Sequence, residues 1–231
     1  MSRIIVKISG EALSSGDTIY ENNTINEIIT DLNNLINAGH ELGIVIGGGN
    51  IWRGAGKEVE RTMADQMGML ATIMNSIYFK ALAENFGLES IIYTPFPAGA
   101  FTKVYDRECV LSSMKKGNLA IFAGGTGHPF FSTDTIPALR ALELHADRVL
   151  FAKNIDGVYD KDPNKHNNAV KYKKLTYREV LEQGLEAMDL TAIVLLEKGG
   201  IDSIAFPLNE KNSIYRAALE EENFGTNITS G

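Results

Sequence analysis

The stretch "ELGIVIGGGNIWRG", residues 41–54, decides the fold. Its short apolar run ends in Gly47, Gly48 and Gly49, and Asn50, Trp52 and Arg53 follow. An apolar run of this length bounded by glycine reads as a buried strand. The glycines at its end mean either a tight turn or an approach to the main chain closer than a side chain allows. Upstream, "RIIVKIS" (3–9) reads as another buried strand. Between the two, "TINEIITDLNNLINAG" (24–39) spaces Ile25, Ile28, Ile29, Leu32, Leu35 and Ile36 along one helix face. Thr24 and Glu27 fit a capping box, and Gly39 fits a helix stop. Strand, helix, strand is the βαβ unit of a parallel sheet.

The alternation continues. A long helix is expected from about Thr62 to Phe86, with Met63, Met67, Leu70, Met74, Ile77, Tyr78 and Leu82 on one side and Gly87 ending it. Strands are expected at "ESIIYT" (89–94), "NLAIFAGG" (118–125) and "DRVLFAK" (147–153), with the helix "DTIPALRALELHA" (134–146) between the last two. Beyond "NIDGVYDKDP" (154–163) comes a polar, loop-like segment, then "TYREVLEQG" (176–184), a helix capped by Thr176 and Glu179. The helix "DLTAIVLLEKGG" (189–200), a last strand "IDSIAFPL" (201–208) and a last helix "SIYRAALEEENFG" (213–225) follow. With no linker-like break and no repeat, residues 1–231 read as a single α/β domain, a three-layer α/β/α sandwich with a mainly parallel central sheet.

Composition agrees. An apolar share of 44% over 231 residues supports a real core. A net charge of −7 argues against a basic nucleic-acid groove, so any anionic ligand must be held by a few placed positive groups. The single cysteine, Cys109, excludes an internal disulfide and reads as a buried, inert thiol. No segment has the length of a signal peptide's apolar core or a membrane span, so a cytoplasmic protein is expected.

Four segments place glycine beside a polar group at a strand end: "VKISGEAL" (6–13), "VIGGGNIWRG" (45–54), "FAGGTGHPFFSTD" (122–134) and "FAKNIDGVYDKDP" (151–163). Parallel sheets gather such ends on one edge, where exposed backbone N–H groups suit phosphates. Neither the Walker spacing nor the dinucleotide fingerprint is present, so another phosphate-handling scaffold is required.

Taken in order, these segments resemble the bacterial uridylate (UMP) kinases of the amino acid kinase superfamily. The resemblance covers almost the whole chain and includes "DQMGMLATIMN" (65–75), "LTYREVL" (175–181) and "MDLTA" (188–192). It implies transfer of the γ-phosphoryl group of ATP to UMP in pyrimidine nucleotide biosynthesis, with magnesium arriving on ATP and no separate metal site. The part before about residue 150 would bind mainly UMP and the part after it mainly ATP.

The same resemblance assigns roles. Lys7, Arg53 and Asp134 would be catalytic. ATP would be held by Lys7, Ile8, Ser9, Gly10, Gly49, Arg53, Lys153, Asn154, Tyr159 and Asp162. UMP would be held by Gly48, Asp65 and the run Thr126, Gly127, His128, Pro129, Phe130, Phe131, Ser132 and Thr133. Asp65 also sits three residues after Thr62, which fits a capping box, and Asp134 sits where an N-cap is favoured. His128 stands where the family has asparagine. Asp189 is a family position without a defined role. The family implies a homohexamer that pairs through the long helix, and UTP feedback inhibition. Its glycine- and phenylalanine-rich segment linked to GTP activation is replaced by "SSGDTIYENN" (14–23), so GTP activation is not expected. The alternatives are an amino acid kinase with an acylate or carbamate acceptor, and a non-catalytic nucleotide-binding regulator or storage protein.

Overall fold

A computed structural model describes residues 1–54 and 58–231. The strands are β1 (Arg3–Ile8), β2 (Glu41–Ile46), β3 (Ser90–Thr94), β4 (Lys103–Val104), β5 (Leu119–Phe122), β6 (Arg148–Lys153), β7 (Lys174–Thr176), β8 (Asp202–Pro207) and β9 (Thr226–Thr229). The helices are α1 (Asn22–Asn37), α2 (Arg61–Asn85), α3 (Arg107–Met114), α4 (Thr135–Leu144), α5 (Tyr177–Glu182), α6 (Leu190–Gly199) and α7 (Ser213–Ala218). All the strands form one sheet in the order β4-β3-β5-β2-β1-β6-β8-β9-β7, parallel except where β8 meets β9. This is the expected mainly parallel sandwich.

Strand alternation sorts the core into two layers. Ile4, Val6 and Ile8 of β1 pack with α1, α2 and α7, whereas Ile5 joins α3, α4, α5 and α6 on the other face. Lys7 shares the parity of Ile5 and is therefore aimed at the side where α4 begins.

Several local expectations are corrected. The α1 cap is Glu21, whose carboxylate accepts from the N–H groups of Asn23 and Thr24, so Thr24 and Glu27 form no capping box. Likewise Glu60 caps α2, accepting from Thr62 and Met63, which frees Asp65 from capping. The helices begin at Asn22 and Arg61, ahead of Thr24 and Thr62, so the free N–H groups lie earlier, within reach of the preceding carboxylate, which also brings a full charge to the positive helix end. Cys109 is exposed, not buried, because it lies in the first turn of α3, a helix hidden by weak periodicity. The last helix stops at Ala218, and β9 follows as a further strand. The capping box of Thr176 and Glu179 is present as expected.

The apolar stripe of α2 faces outward. Met63, Met67, Leu70, Met74 and Ile77 are exposed, and the buried face is instead Ala64, Ala71, Thr72, Ile73, Asn75, Ser76, Phe79 and Ala83. Small and polar residues line that inner face because the glycine loop after β2 packs directly on it.

Candidate active site

The four glycine-bearing segments follow β5, β2, β1 and β6, which are consecutive in the sheet, so they meet on one edge as the sequence required. The three glycines after β2 do three different things. A Cβ on Gly47 would stand 2.9 Å from the backbone N of Gly10. On Gly48 it would stand 2.8 Å from Ala71 Cβ and 2.9 Å from the Gly68 carbonyl of α2. On Gly49 it would meet only the Glu11 side chain, at 3.1 Å. None of the three has a positive φ, so bare backbone is needed here for space and not for handedness. Gly10 makes the reciprocal demand: its Cβ would fall 2.4 Å from the Gly47 carbonyl.

Asn75 locks this loop. Its side chain is fully buried on α2 and donates to the Gly47 carbonyl at 2.7 Å and to Asn50 Oδ1 at 2.7 Å. Sequence reasoning passed over it because an asparagine inside a helix carries no pattern of its own. Trp52 was also missed. Its indole N–H donates to the Ala64 carbonyl at 2.9 Å, fixing the ring against the start of α2.

Between these parts lies a cavity of about 330 Å³ lined by Gly48, Gly49, Trp52, Asp65, Thr126 and Thr133 among others. His128, Phe131 and Ser132 line it as well. Asp65 accepts the Phe130 N–H at 2.7 Å and the Arg61 guanidinium N–H at 2.8 Å. It therefore ties the 126–133 loop to α2. The Phe130 ring turns outward, 5.5 Å below the Arg61 guanidinium, on a backbone with φ of 71°; it does not line the cavity. Gly127 and Pro129 shape the loop without lining the cavity. Ile8 is buried on the far face, and its carbonyl accepts from Gly47 N–H at 2.9 Å. Ser9 precedes a short 3-10 turn over Gly10–Leu13, and its carbonyl accepts from Ala12 N–H at 3.1 Å.

The charged centre lies at the end of β1. Lys7 Nζ is 2.8 Å from Asp134 Oδ1, and Lys153 Nζ is 3.9 Å from Asp134 Oδ2. Asp134 occupies the N-cap position of α4, but its side chain makes no capping bond. Its carboxylate serves the two lysines instead. Burial pushes the Lys153 ammonium below its ordinary pKa; the Asp134 carboxylate opposes that shift and the Lys7 charge adds to it.

Arg53 is not in this centre. Its guanidinium pairs with Glu11 at 2.7 Å in an exposed position at the mouth of the glycine loop. Lys153 and Asn154 line a cavity of about 380 Å³ with Ala12, Leu208 and Asn209, and Tyr159 and Asp162 do not join them there. The Tyr159 hydroxyl donates to Asp156 Oδ1 at 2.5 Å, and Asp162 accepts the Asn164 N–H at 2.9 Å to close its own turn. Lys153 also lines a neighbouring cavity of about 520 Å³ with Asp134, Asp189 and the end of α5.

The site joins glycine-lined strand ends to two lysines gathered on one aspartate, which defines a phosphate-handling α/β enzyme of the phosphotransferase class. Residues 2–206 match the amino acid kinase family, and the chain belongs to it. It is similar to the UMP kinase of Ureaplasma parvum, with 30% identity, a TM-score of 0.93, and coverage of 99% of this chain and 98% of that one. It is also similar to the UMP kinase of Bacillus anthracis, with 33% identity, a TM-score of 0.94, and coverage of 99% and 96%. The uridylate kinase of Archaeoglobus fulgidus, 24% identical with a TM-score of 0.73 over 99% of this chain and 100% of that one, shares the fold.

Proposed function

We propose that the protein is a UMP kinase, transferring the γ-phosphoryl group of ATP to UMP to give ADP and UDP. The observation that carries this reading is the half-open cavity lined by Gly48, Asp65, Thr126 and Thr133, whose last residue adjoins in the chain the Asp134 that gathers Lys7 and Lys153. A nucleoside monophosphate needs a pocket for base and ribose and a positive junction for its phosphate. An amino acid or carbamate acceptor needs far less room. Asp65 would accept ribose hydroxyls in place of the Arg61 N–H, and Thr126 and Thr133 would donate to the acceptor phosphate.

ATP would approach from the Lys153 side, with Asn154 near the ribose or base and Gly49 against the phosphates. Tyr159 and Asp162 belong to the donor side only if their loop closes on it. Lys7 and Lys153 would neutralise charge as it spreads over the transferring phosphoryl oxygens, the dominant requirement in such reactions. Asp134 holds both ammoniums in place. It is not a general base, since the acceptor phosphate is already ionised at neutral pH. With its carboxylate committed to two lysines, Asp134 leaves magnesium to enter with ATP, held by the phosphates, where it supplies further charge neutralisation. Arg53 would leave Glu11 to grip phosphate with its planar fork.

The outward Met63, Met67, Leu70, Met74 and Ile77 stripe supports pairing with a second copy through α2, within the expected homohexamer. Cytoplasmic pyrimidine nucleotide synthesis with UTP feedback inhibition completes the reading. Among the described residues, no helix is long and apolar enough to cross a membrane. The test is phosphorylation of UMP against a panel of amino acids and carbamate. Turnover with UMP alone supports the reading, and turnover with a panel member instead overturns it.

A further inference from the structure

Asp189 is the N-cap of α6, and one carboxylate oxygen does all that a cap requires: Oδ1 accepts the Ala192 N–H at 2.7 Å. The other oxygen does something a cap does not need. Oδ2 accepts the hydroxyl of Ser132 and, at 3.0 Å, the hydroxyl of Thr135, on segments more than fifty residues away in sequence. Ser132 closes the cavity that holds Asp65, and its own oxygen accepts the Asp134 N–H at 3.1 Å. Asp189 itself lines the cavity on the Lys153 side. One carboxylate thus spans the two cavities, fastened to the wall of each, and touches the backbone turn that sets Asp134.

We propose that Asp189 is a positioning residue that couples the two substrate sites, so that a nucleotide bound on the Lys153 side tightens the 126–133 loop around the acceptor. The physical basis is that both hydroxyl bonds are charge-assisted and converge on one atom. Lys153 lines both the cavity with Asn154 and the one walled by Asp189 and α6, so a nucleotide held at Lys153 bears on α6, and moving α6 moves Ser132 and, through it, the end of the acceptor loop. Coupling of this kind is reciprocal: each ligand changes the affinity of the other by the same factor. The proposal rests on the UMP kinase reading for the identity of the two ligands.

The test measures UMP binding by calorimetry with and without a saturating non-hydrolysable ATP analogue, in wild type and in Asp189→Asn. Asparagine caps as well as aspartate, so the helix is kept, while the charged acceptor for the two hydroxyls is lost. In wild type the analogue is expected to tighten UMP by about tenfold, in the ordinary range of coupling between sites. In Asp189→Asn the factor falls towards one, with an unchanged unfolding midpoint. Should that variant unfold early, Asp189→Ser makes the same measurement, since its side chain caps but is too short to reach Ser132. An equal factor in wild type and variant, or none in wild type, overturns the proposal. Wild type that binds no UMP at all fails the functional reading instead, so the two failures are distinct.

Discussion

Lys7 Nζ lies 2.8 Å from Asp134 Oδ1, and the second oxygen of the same carboxylate faces Lys153. A strand-end lysine on β1 is thereby held at a fixed point by the first residue before α4. Replacing Lys7 with alanine removes charge where it develops in transfer, and kcat should fall by about 10² to 10³, as when one placed donor is lost from a transition state. UMP affinity, measured by calorimetry, should change little, because Lys7 does not line the acceptor cavity.

Asp65 meets the Phe130 N–H and Arg61, with no part in capping α2. Asp65→Asn should therefore raise the Michaelis constant for UMP more than that for ATP. Equal effects on both would mean that the residue only braces the loop.

The Lys153 ammonium, lowered by burial and facing Asp134, Lys7 and Asp189, loses its proton at a lower pH than an ordinary lysine. Turnover should therefore decline as pH rises through that lowered value, with nothing lost on the acid side from this group. Lys153→Arg keeps its charge throughout, and its alkaline limb should move to higher pH in a kcat against pH profile. Coincident limbs would remove Lys153 from the chemistry.

Gly48 and Gly49 should separate in their effects. Gly48→Ala forces a Cβ against Ala71 and the Gly68 backbone, and such overpacking costs about 1–3 kcal/mol in a denaturant titration. Gly49→Ala meets only a flexible glutamate, so its stability should stay near wild type while nucleotide binding weakens.

Asp31 of α1 is buried against the start of α7, where its carboxylate accepts the Ile214 N–H at 2.9 Å, and burial raises its pKa. A raised carboxylate destabilises the fold while charged, and that cost is relieved as pH falls through the folded value towards the unfolded one. Asp31→Asn keeps one acceptor for Ile214 and carries no charge. It should be at least as stable as wild type at pH 7, with the difference shrinking as pH falls; a growing difference would reverse the sign of this account.

The parallel sheet was legible because β1, β2, β5 and β6 are short apolar runs alternating with helices and followed by glycine-bearing loops, while the strand order β5-β2-β1-β6 is set by packing between distant segments. The caps were less legible. Glu21 and Glu60 cap the helices in place of Thr24 and Thr62, because each helix begins before its threonine and its first free N–H groups fall within reach of the earlier carboxylate. The Met stripe of α2 had the spacing of a core face, yet it points outward, because the glycine loop takes the other side. In the site, Lys7, Asp65 and Asp134 stood out through the family resemblance; their positions alone suggested a strand-end lysine, a capping box and an N-cap, and neither aspartate side chain caps a helix. Asn75 and Trp52 did not stand out, and Asp189 was named without a role, because each acts through a partner outside its own segment.

The central claim is that ATP and UMP meet across Lys7 and Asp134. A coupled ADP-release assay tests it most directly, run with ATP alone, with ATP and UMP, and with the Lys7→Ala variant. ADP release that requires UMP and is nearly abolished in Lys7→Ala is the predicted result. ADP release that is absent or indifferent to UMP, or that persists in the variant at the wild-type rate, would contradict it.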